Sequence, residues 1–202
     1  MNRRSLSILI VLIVLLLDQG SKVWVKLNMR LYQEFYLFDD WFRIFFTENE
    51  GMAFGITFGG VVGKLALSIF RLLAIGGVIL LIKHLLLNQA PKKLIAGVSL
   101  ILAGAIGNMI DSAIYGLIFS DSESRVATFL PAEGGYTGFL QGKVVDMLNL
   151  PIYEGFAPDW IPFIGGKYIE FFNSVFNLAD LSIAIGVIIV IYFHKSLFKT
   201  TT

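Results

Sequence analysis

Acidic residues in apolar surroundings are the groups of this sequence that could do chemistry. Asp18, Asp111 and Asp180 each lie within a strongly apolar segment, and Asp146 lies in a short apolar stretch. Because a charged side chain is costly inside a bilayer, an acid in such a segment is a functional candidate by default. Two carboxylates a few ångströms apart share a proton, so that one can act as an acid and the other as a base. Such a pair can activate water for attack on a peptide carbonyl.

Amide side chains accompany these acids at helical spacing. Asn108 precedes Asp111 by three residues, and Asn177 precedes Asp180 by three, so each amide shares a helix face with its carboxylate. The stretch around Asp146 alternates like a strand, which would turn this residue away from its apolar neighbours. We expect these amides and carboxylates to point into a single polar site.

Four of the polar positions have two interpretations each. Asp18 and Lys22 are four residues apart, a spacing that suits an ion pair on one helix. Either could instead contact a substrate, and Asp111 beside Asn108 has the same two interpretations. Asn49 lies in a predicted turn next to glycine, where it could bind a substrate or organise the turn.

The elements that must position these groups are predicted to be membrane helices. Of the 202 residues, 56% are hydrophobic and 15% are charged, whereas a soluble domain carries about a quarter charged residues. The mean hydropathy is +0.75. We predict an integral membrane protein, mainly α, with one membrane domain over residues 1–202. Its four transmembrane helices would lie at about 6–27, 65–87, 94–115 and 176–193, each near the roughly 20 residues that cross a bilayer.

Basic residues set the predicted orientation of these helices. They concentrate in three short segments without acidic residues, at 3–4, 83–93 and 195–199. By the positive-inside rule these segments and both termini face the cytoplasm. The external segments are then about 28–64, which should contain short interfacial β-strands, and about 116–175.

The predicted orientation places the intramembrane acids at one depth. Counted at about 1.5 Å per residue from the cytoplasmic helix ends, Asp18 lies roughly 20 Å and Asp111 roughly 25 Å into the bilayer. Asp180 follows shortly after the outer end of the fourth predicted helix. All three therefore belong to the outer half of the membrane.

Several kinds of site are excluded or disfavoured by residues that the sequence lacks. There is no cysteine, which removes thiol nucleophiles, disulfides and thiolate metal sites. The two histidines, His84 and His194, are not part of a His-Glu-x-x-His pattern, so a zinc-peptidase site is not expected. A Gly-x-Ser-x-Gly elbow for a serine peptidase is absent. The net charge of +1 gives no basic surface for nucleic acid. We expect no metal, no cofactor and no nucleic-acid partner.

Two other classes of function compete with a peptidase. Intramembrane Asp and Asn residues also mark the pathways of small proton- or ion-coupled transporters. Such a pathway needs polar groups across the whole membrane, whereas the inner halves of the predicted helices are nearly all apolar. A non-enzymatic membrane scaffold would tolerate isosteric changes such as Asp146→Asn, which a peptidase would not.

Five stretches of the sequence resemble the lipoprotein signal peptidases, also called signal peptidase II, which are bacterial inner-membrane aspartic peptidases. They are 18–22 (DQGSK), 49–55 (NEGMAFG), 107–111 (GNMID), 144–146 (VVD) and 176–180 (FNLAD). Together they extend over nearly the whole chain, in one order around the four predicted helices.

The resemblance implies a catalytic pair, a substrate and a location. Asp146 and Asp180 would form the catalytic dyad. Site support or substrate binding would come from Asp18, Lys22, Asn49, Gly51, Asn108, Asp111 and Asn177. The substrate would be a diacylglyceryl-modified prolipoprotein, cut on the amino side of the modified cysteine near the periplasmic face of the inner membrane. A globomycin-type inhibitor would bind, membrane lipid would surround the site, and the protein would be a monomer.

The chain departs from this resemblance in two places. Many members have an arginine directly after the third-helix Asp, where this chain has Ser112. Arg125 or Lys143 is a hypothetical replacement for that arginine. The segment 116–142 is longer than the connection in many members, and it could be a lid, an interaction surface or a lineage-specific insertion.

Overall fold

Three long apolar helices dominate the fold. A computed structural model describes residues 1–38, 41–50, 60–151, 153–171 and 173–193. Among these residues, the helices long and apolar enough to cross a membrane are Arg3–Asn28, Val62–Leu87 and Lys92–Ile118. We name α1 (Arg3–Asn28), α2 (Gly60–Leu87) and α3 (Lys92–Ile110). The helices predicted at 6–27, 65–87 and 94–115 are confirmed. The first and third apolar spans extend a little beyond both predicted ends, whereas α2 begins earlier than predicted and ends at Leu87 as predicted.

The two long segments between the helices meet in one antiparallel sheet. The first contributes β1 (Glu34–Phe38) and β2 (Phe42–Asn49), and the second contributes β3 (Val144–Asn149). The second also forms a separate hairpin of β4 (Tyr153–Phe156) with β5 (Tyr168–Phe171), followed by β6 (Val175–Phe176). The order in the main sheet is β1-β2-β3-β6. The strands predicted in the first segment are confirmed, and Asp146 lies in a strand as predicted.

The chain changes from α-helical to π-helical winding at the candidate acid Asp111, directly after α3. A π-helical turn, Asp111–Tyr115, follows α3 directly, and a short helix α4, Gly116–Ile118, completes the segment. Single π turns are rare and often occur at functional sites. The sequence predicted a continuous helix here and gave no signal for the π turn.

The last described helix begins later than the sequence predicted. The prediction started at residue 176, but α5 covers Leu178–Phe193 and the residues before it form β6. The cause is Asn177, whose Oδ1 accepts a hydrogen bond from the backbone N–H of Asp180 at 2.9 Å. An asparagine in this role caps the helix and fixes where it begins. Within the described residues α5 is an apolar helix of 16 residues, shorter than the three named above, so a fourth transmembrane helix remains a prediction.

Helix α5 packs closely on α3 at a glycine. A Cβ atom on Gly104 would lie 2.6 Å from Ser182 Oγ and 2.7 Å from Ile183 Cγ1. Ser182 Oγ also donates to the backbone oxygen of Leu100 at 3.1 Å, which ties the two helices together. The small residue therefore lets the first turns of α5 lie directly against the half of α3 that carries Asn108.

An apolar cluster holds the sheet against the helices. Its buried members are Val25, Met29, Phe46, Tyr115, Phe119, Val145 and Met147. Because Val145 and Met147 of β3 both point into this cluster, Asp146 between them points from the other face of the strand. The predicted alternation around Asp146 is confirmed.

Candidate active site

A buried cluster of three charged side chains joins α1 to the end of α3. Lys22 Nζ lies 2.9 Å from Asp18 Oδ2 and 2.8 Å from Asp111 Oδ2, and all three side chains are fully buried. The ion pair predicted between Asp18 and Lys22 is confirmed, and Asp111 extends it to a second helix. Buried charges persist only where they are paired and hydrogen-bonded. We call these three residues the Lys22 triad.

Both aspartates of the Lys22 triad also accept hydrogen bonds from the backbone of other elements. Asp18 Oδ1 accepts from the N–H of Ala179 in α5 at 2.9 Å, and Asp111 Oδ2 accepts from the N–H of Val145 in β3 at 3.2 Å. Gly107 leaves room for this arrangement, since a Cβ there would lie 2.6 Å from Asp18 Oδ2. The triad therefore fixes β3 and α5, the two elements that carry the remaining candidate acids.

Gln19 completes the surroundings of Asp111. Its Nε2 donates to Asp111 Oδ1 at 2.9 Å, while its Oε1 accepts from the hydroxyl of Tyr115 at 3.1 Å. Gln19 belongs to the first matching stretch of the sequence but had no predicted role. The contact places it beside the triad.

Two asparagines connect the Lys22 triad to the other two acids. Lys22 Nζ donates to Asn108 Oδ1 at 2.9 Å, and Asn177 Nδ2 donates to the same oxygen at 3.1 Å. Asn108 Nδ2 in turn donates to Asp180 Oδ1 at 2.7 Å, and Asn177 Nδ2 donates to Asp146 Oδ1 at 2.6 Å. The side-chain oxygen of Asn108 accepts a hydrogen bond from Lys22, which fixes the orientation of the amide. The amide nitrogen is therefore on the opposite side, where it donates to the carboxylate of Asp180.

Asp146 and Asp180 thus lie at one edge of a continuous polar network. Asp146 Oδ2 also accepts from Asn49 Nδ2 at 3.3 Å, and Asp180 Oδ2 accepts from the backbone N–H of Asn177 at 3.4 Å. Asp146 is 3% exposed, whereas Asp180 is half-buried. The less buried carboxylate is the one that an incoming molecule can reach more easily.

The surroundings of Asp146 change how it binds a proton. Its pKa is raised from the ordinary 3.8 to about 7, first by burial and then by the negative charge of Asp180. Hydrogen bonds from Asn177 and Asn49 act in the opposite direction, because they favour the ionised form. Near neutral pH the pair can therefore hold one proton and one negative charge, as acid–base chemistry by two carboxylates requires.

The structure brings together every predicted site residue that it describes. These are Asp18, Lys22, Asn49, Asn108, Asp111, Asp146, Asn177 and Asp180. Gly51 lies outside the described residues. Within the described part of the chain, no group of three or more His, Cys, Asp or Glu side chains could hold a metal ion.

The basic residue beside Ser112 is Arg71, which was not one of the two predicted replacements. Arg71 of α2 donates from Nη1 to Ser112 Oγ at 3.0 Å. Of the two hypothetical replacements, Arg125 is exposed, and Lys143 Nζ lies 3.9 Å from three glutamate carboxylates. A charged residue inside the apolar run between Lys64 and Lys83 of α2 is the signal that would have identified Arg71.

A second buried lysine of α1 holds the long segment 116–142. Lys26 Nζ lies 2.5 Å from Glu48 Oε1 and 3.1 Å from Ser122 Oγ. It also lies 5.3 Å and 5.2 Å from the ring centroids of Phe119 and Tyr136, within the range of cation–π attraction. The segment is therefore packed against α1 and β2 through contacts that the sequence did not predict.

Comparison with known proteins agrees with this arrangement. Apolar helices of membrane-spanning length around a buried network of carboxylates define an integral membrane protein. The profile of the family described as Signal peptidase (SPase) II matches residues 10–195. The chain is also similar to solved bacterial membrane enzymes: one has a TM-score of 0.59 at 23% identity, covering 96% of this chain and 91% of the other. A second has a TM-score of 0.56 at 27% identity, covering 96% and 94%.

Curated relatives show the same similarity in sequence. A lipoprotein signal peptidase of Porphyromonas gingivalis is 44% identical over 183 residues, covering 90% of this chain and 79% of the relative. One of Amoebophilus asiaticus is 38% identical over 185 residues, covering 90% and 74%. The chain therefore belongs to the signal peptidase II family, and this membership makes it a peptidase and hence a hydrolase.

Proposed function

We propose that this chain is an aspartic endopeptidase that removes signal peptides from prolipoproteins. It would cleave on the amino side of a diacylglyceryl-modified cysteine, at the outer face of the bacterial inner membrane. The observation that carries the proposal is that Asn177 donates to both carboxylates, from its side chain to Asp146 and from its backbone N–H to Asp180. Membership of the signal peptidase II family supports the substrate class.

In the proposed mechanism, Asp146 holds the shared proton and Asp180 acts as the base. The raised pKa of Asp146 supports this division. Asp180 removes a proton from water while the water oxygen bonds to the scissile carbonyl carbon. Asp146 stabilises the resulting oxyanion by a hydrogen bond. Asp146 then donates its proton to the nitrogen, the carbon–nitrogen bond breaks, and a carboxyl group and an amine are released. The proton that Asp180 took from water leaves the pair again with one shared proton.

The remaining predicted residues would support this pair. Asn108 and Asn177 orient the two carboxylates, and the Lys22 triad holds the elements that carry them. Asn49 would orient Asp146 from β2 or meet the substrate there. Loss of such supporting contacts can reduce activity as strongly as loss of a reacting group, because the geometry of the pair depends on them.

The proposed topology explains the depth of the site. With four crossings and both termini in the cytoplasm, the carboxylates lie in the outer half of one membrane domain. A precursor anchored by two acyl chains would present its scissile bond at that level. The protein would act as a monomer, bind a globomycin-type inhibitor at the same site, and need no metal or other cofactor.

The test is cleavage of a diacylglyceryl-modified precursor peptide by the full-length protein in detergent. Asp146→Asn and Asp180→Asn should each lower kcat by about 10²–10⁴-fold, because each removes a group that transfers a proton. Glu133→Gln, at an exposed position, is the matched control and should leave kcat unchanged. A chelator should have no effect. Thermal unfolding of each variant checks that it is folded.

The dependence of kcat on pH tests the shared proton. Asp146 must be protonated, so activity should fall as the pH rises through about 7, the raised pKa of this residue. Activity should fall again in acid, where the base becomes protonated, which gives a bell-shaped profile. A flat profile would argue against the mechanism. Full cleavage by both Asp variants would refute the catalytic role of the pair. Absence of cleavage by the wild type would favour a scaffold, and proton uptake by proteoliposomes without any cleavage would favour a transporter.

A further inference from the structure

Arg71 is the charged residue in the apolar run between Lys64 and Lys83 of α2. Helix α2 ends at Leu87, so Arg71 lies about 24 Å from that end at about 1.5 Å per residue. Asp111 lies about 28 Å from the start of α3 by the same count, which puts both side chains at a similar depth. A guanidinium at this depth is costly in lipid and is kept where it serves a function.

Ser112 is a hydrogen-bond partner of the Arg71 side chain. The guanidinium Nη1 donates to Ser112 Oγ at 3.0 Å, and Ser112 Oγ donates to the backbone oxygen of Asn108 at 3.1 Å. The same Asn108 donates from its side chain to Asp180. The hydroxyl therefore links the guanidinium to the residue that orients one carboxylate of the pair.

The charge of Arg71 acts directly on the carboxylates of the site. It interacts with Asp180, with Asp111 and with Asp146, from three different elements. Arg71 is only half-buried, unlike Lys22, which is fully enclosed within its triad. The two cations therefore differ in burial: Lys22 is enclosed within the polar network, and Arg71 is half-buried beside it.

A guanidinium is suited to holding a peptide backbone. It has five N–H donors in one plane and can serve several acceptors at once. An arginine held on Ser112 can therefore also donate to a carbonyl oxygen of a bound chain. Its permanent positive charge makes such a hydrogen bond stronger than one from a neutral donor.

We propose that Arg71 is a substrate-binding residue, held by Ser112 so that its guanidinium binds a backbone carbonyl of the precursor next to the scissile bond. Ser112, in the π-helical turn that follows α3, then orients an arginine supplied by α2. This inference rests on the proposed peptidase function. A purely structural alternative is that Arg71 only neutralises the acids around it.

Steady-state kinetics of the full-length protein with a diacylglyceryl-modified precursor peptide separate the two roles. Arg71→Gln should raise KM about tenfold or more with kcat changed less than about twofold, because a charge-assisted hydrogen bond to the bound substrate is lost. Arg71→Lys keeps the charge without the planar fork and should raise KM about threefold. Lys83→Gln, at an exposed position near the other end of α2, is the control and should leave both constants unchanged.

Ser112→Ala provides an independent readout that leaves the arginine in place. It should raise KM about threefold, and adding it to Arg71→Gln should raise KM no further, because Ser112 acts through Arg71. If Arg71→Gln does not fold, Arg71→Lys and Ser112→Ala still decide the question.

The outcomes distinguish this inference from the proposed function. Folded Arg71→Gln with KM within about twofold of the wild type would overturn the inference, as would effects of Ser112→Ala and Arg71→Gln that simply multiply. A lower fraction of active protein with unchanged KM would show the structural alternative. Absence of cleavage by the wild type would instead refute the proposed function, and the role of Arg71 would fall with it.

Discussion

Replacing Asp146 by asparagine should abolish cleavage and at the same time stabilise the fold above neutral pH. The pKa of Asp146 is raised in the folded protein from 3.8 to about 7, mainly by burial. The folded chain therefore binds this proton more tightly than the unfolded chain does. The stability that results is fully present below pH 3.8 and is lost as the pH rises through about 7. Asparagine has no charge to bury, so the variant does not suffer this loss.

The size of the effect follows from the shift and the local hydrogen bonds. Roughly 3 pKa units at about 1.4 kcal/mol each give about 4 kcal/mol at most. Asp146 accepts from both Asn177 and Asn49, whereas an asparagine has one acceptor oxygen, and losing the weaker contact costs about 1 kcal/mol. We expect Asp146→Asn to be about 3 kcal/mol more stable than the wild type at pH 8.5. Between pH 5 and pH 8.5 its advantage should grow by about 3 kcal/mol.

Thermal unfolding in one detergent at the two pH values measures this difference. For a chain of this size, about 3 kcal/mol corresponds to a change in Tm of roughly 6–12 °C. Glu133→Gln removes a carboxyl that is exposed, so its Tm difference from the wild type should be the same at both pH values. Equal stability changes for Asp146→Asn at pH 5 and pH 8.5 would refute the raised pKa and the division of roles built on it.

Two further predictions concern the packing that supports the site. Lys22→Met leaves two carboxylates buried without their cation and should lower the free energy of unfolding by about 3–5 kcal/mol, whereas Lys83→Met, at an exposed position, should change it by less than about 0.5 kcal/mol. Similar Tm values for the two variants would contradict the triad. Gly104→Ala should cost about 1–3 kcal/mol because its Cβ would press on Ser182. Gly77→Ala, which has open space around the new Cβ, should be neutral or stabilising, and equal losses for the two alanines would disprove the close approach of α3 and α5.

Local spacing was enough to predict much of the site. The four-residue spacing of Asp18 and Lys22 predicted their ion pair, because residues so spaced are neighbours on any helix. The three-residue spacing of Asn177 and Asp180 placed the two residues together, and alternation placed Asp146 on the polar face of β3. These features depend on the periodicity of one element, which a sequence displays directly.

Contacts between distant elements were not predictable in the same way. The hydrogen bond of Arg71 to Ser112 depends on how α2 lies against α3, and the contact of Lys26 with Ser122 depends on the path of a long segment. No periodicity within one element encodes either contact. The π-helical turn at Asp111 likewise has no residue signature, since it reflects how the end of α3 fits against β3 and α1.

The hydrogen bond between Asp18 and Ala179 joins positions that are 161 residues apart. During synthesis the first of these enters the bilayer long before the second has been translated. A nascent chain would therefore carry an unfinished pocket until α5 has been translated and packs on α1 and α3. A chain that ends before α5 would lack both Asp180 and the backbone N–H of Ala179 that holds Asp18.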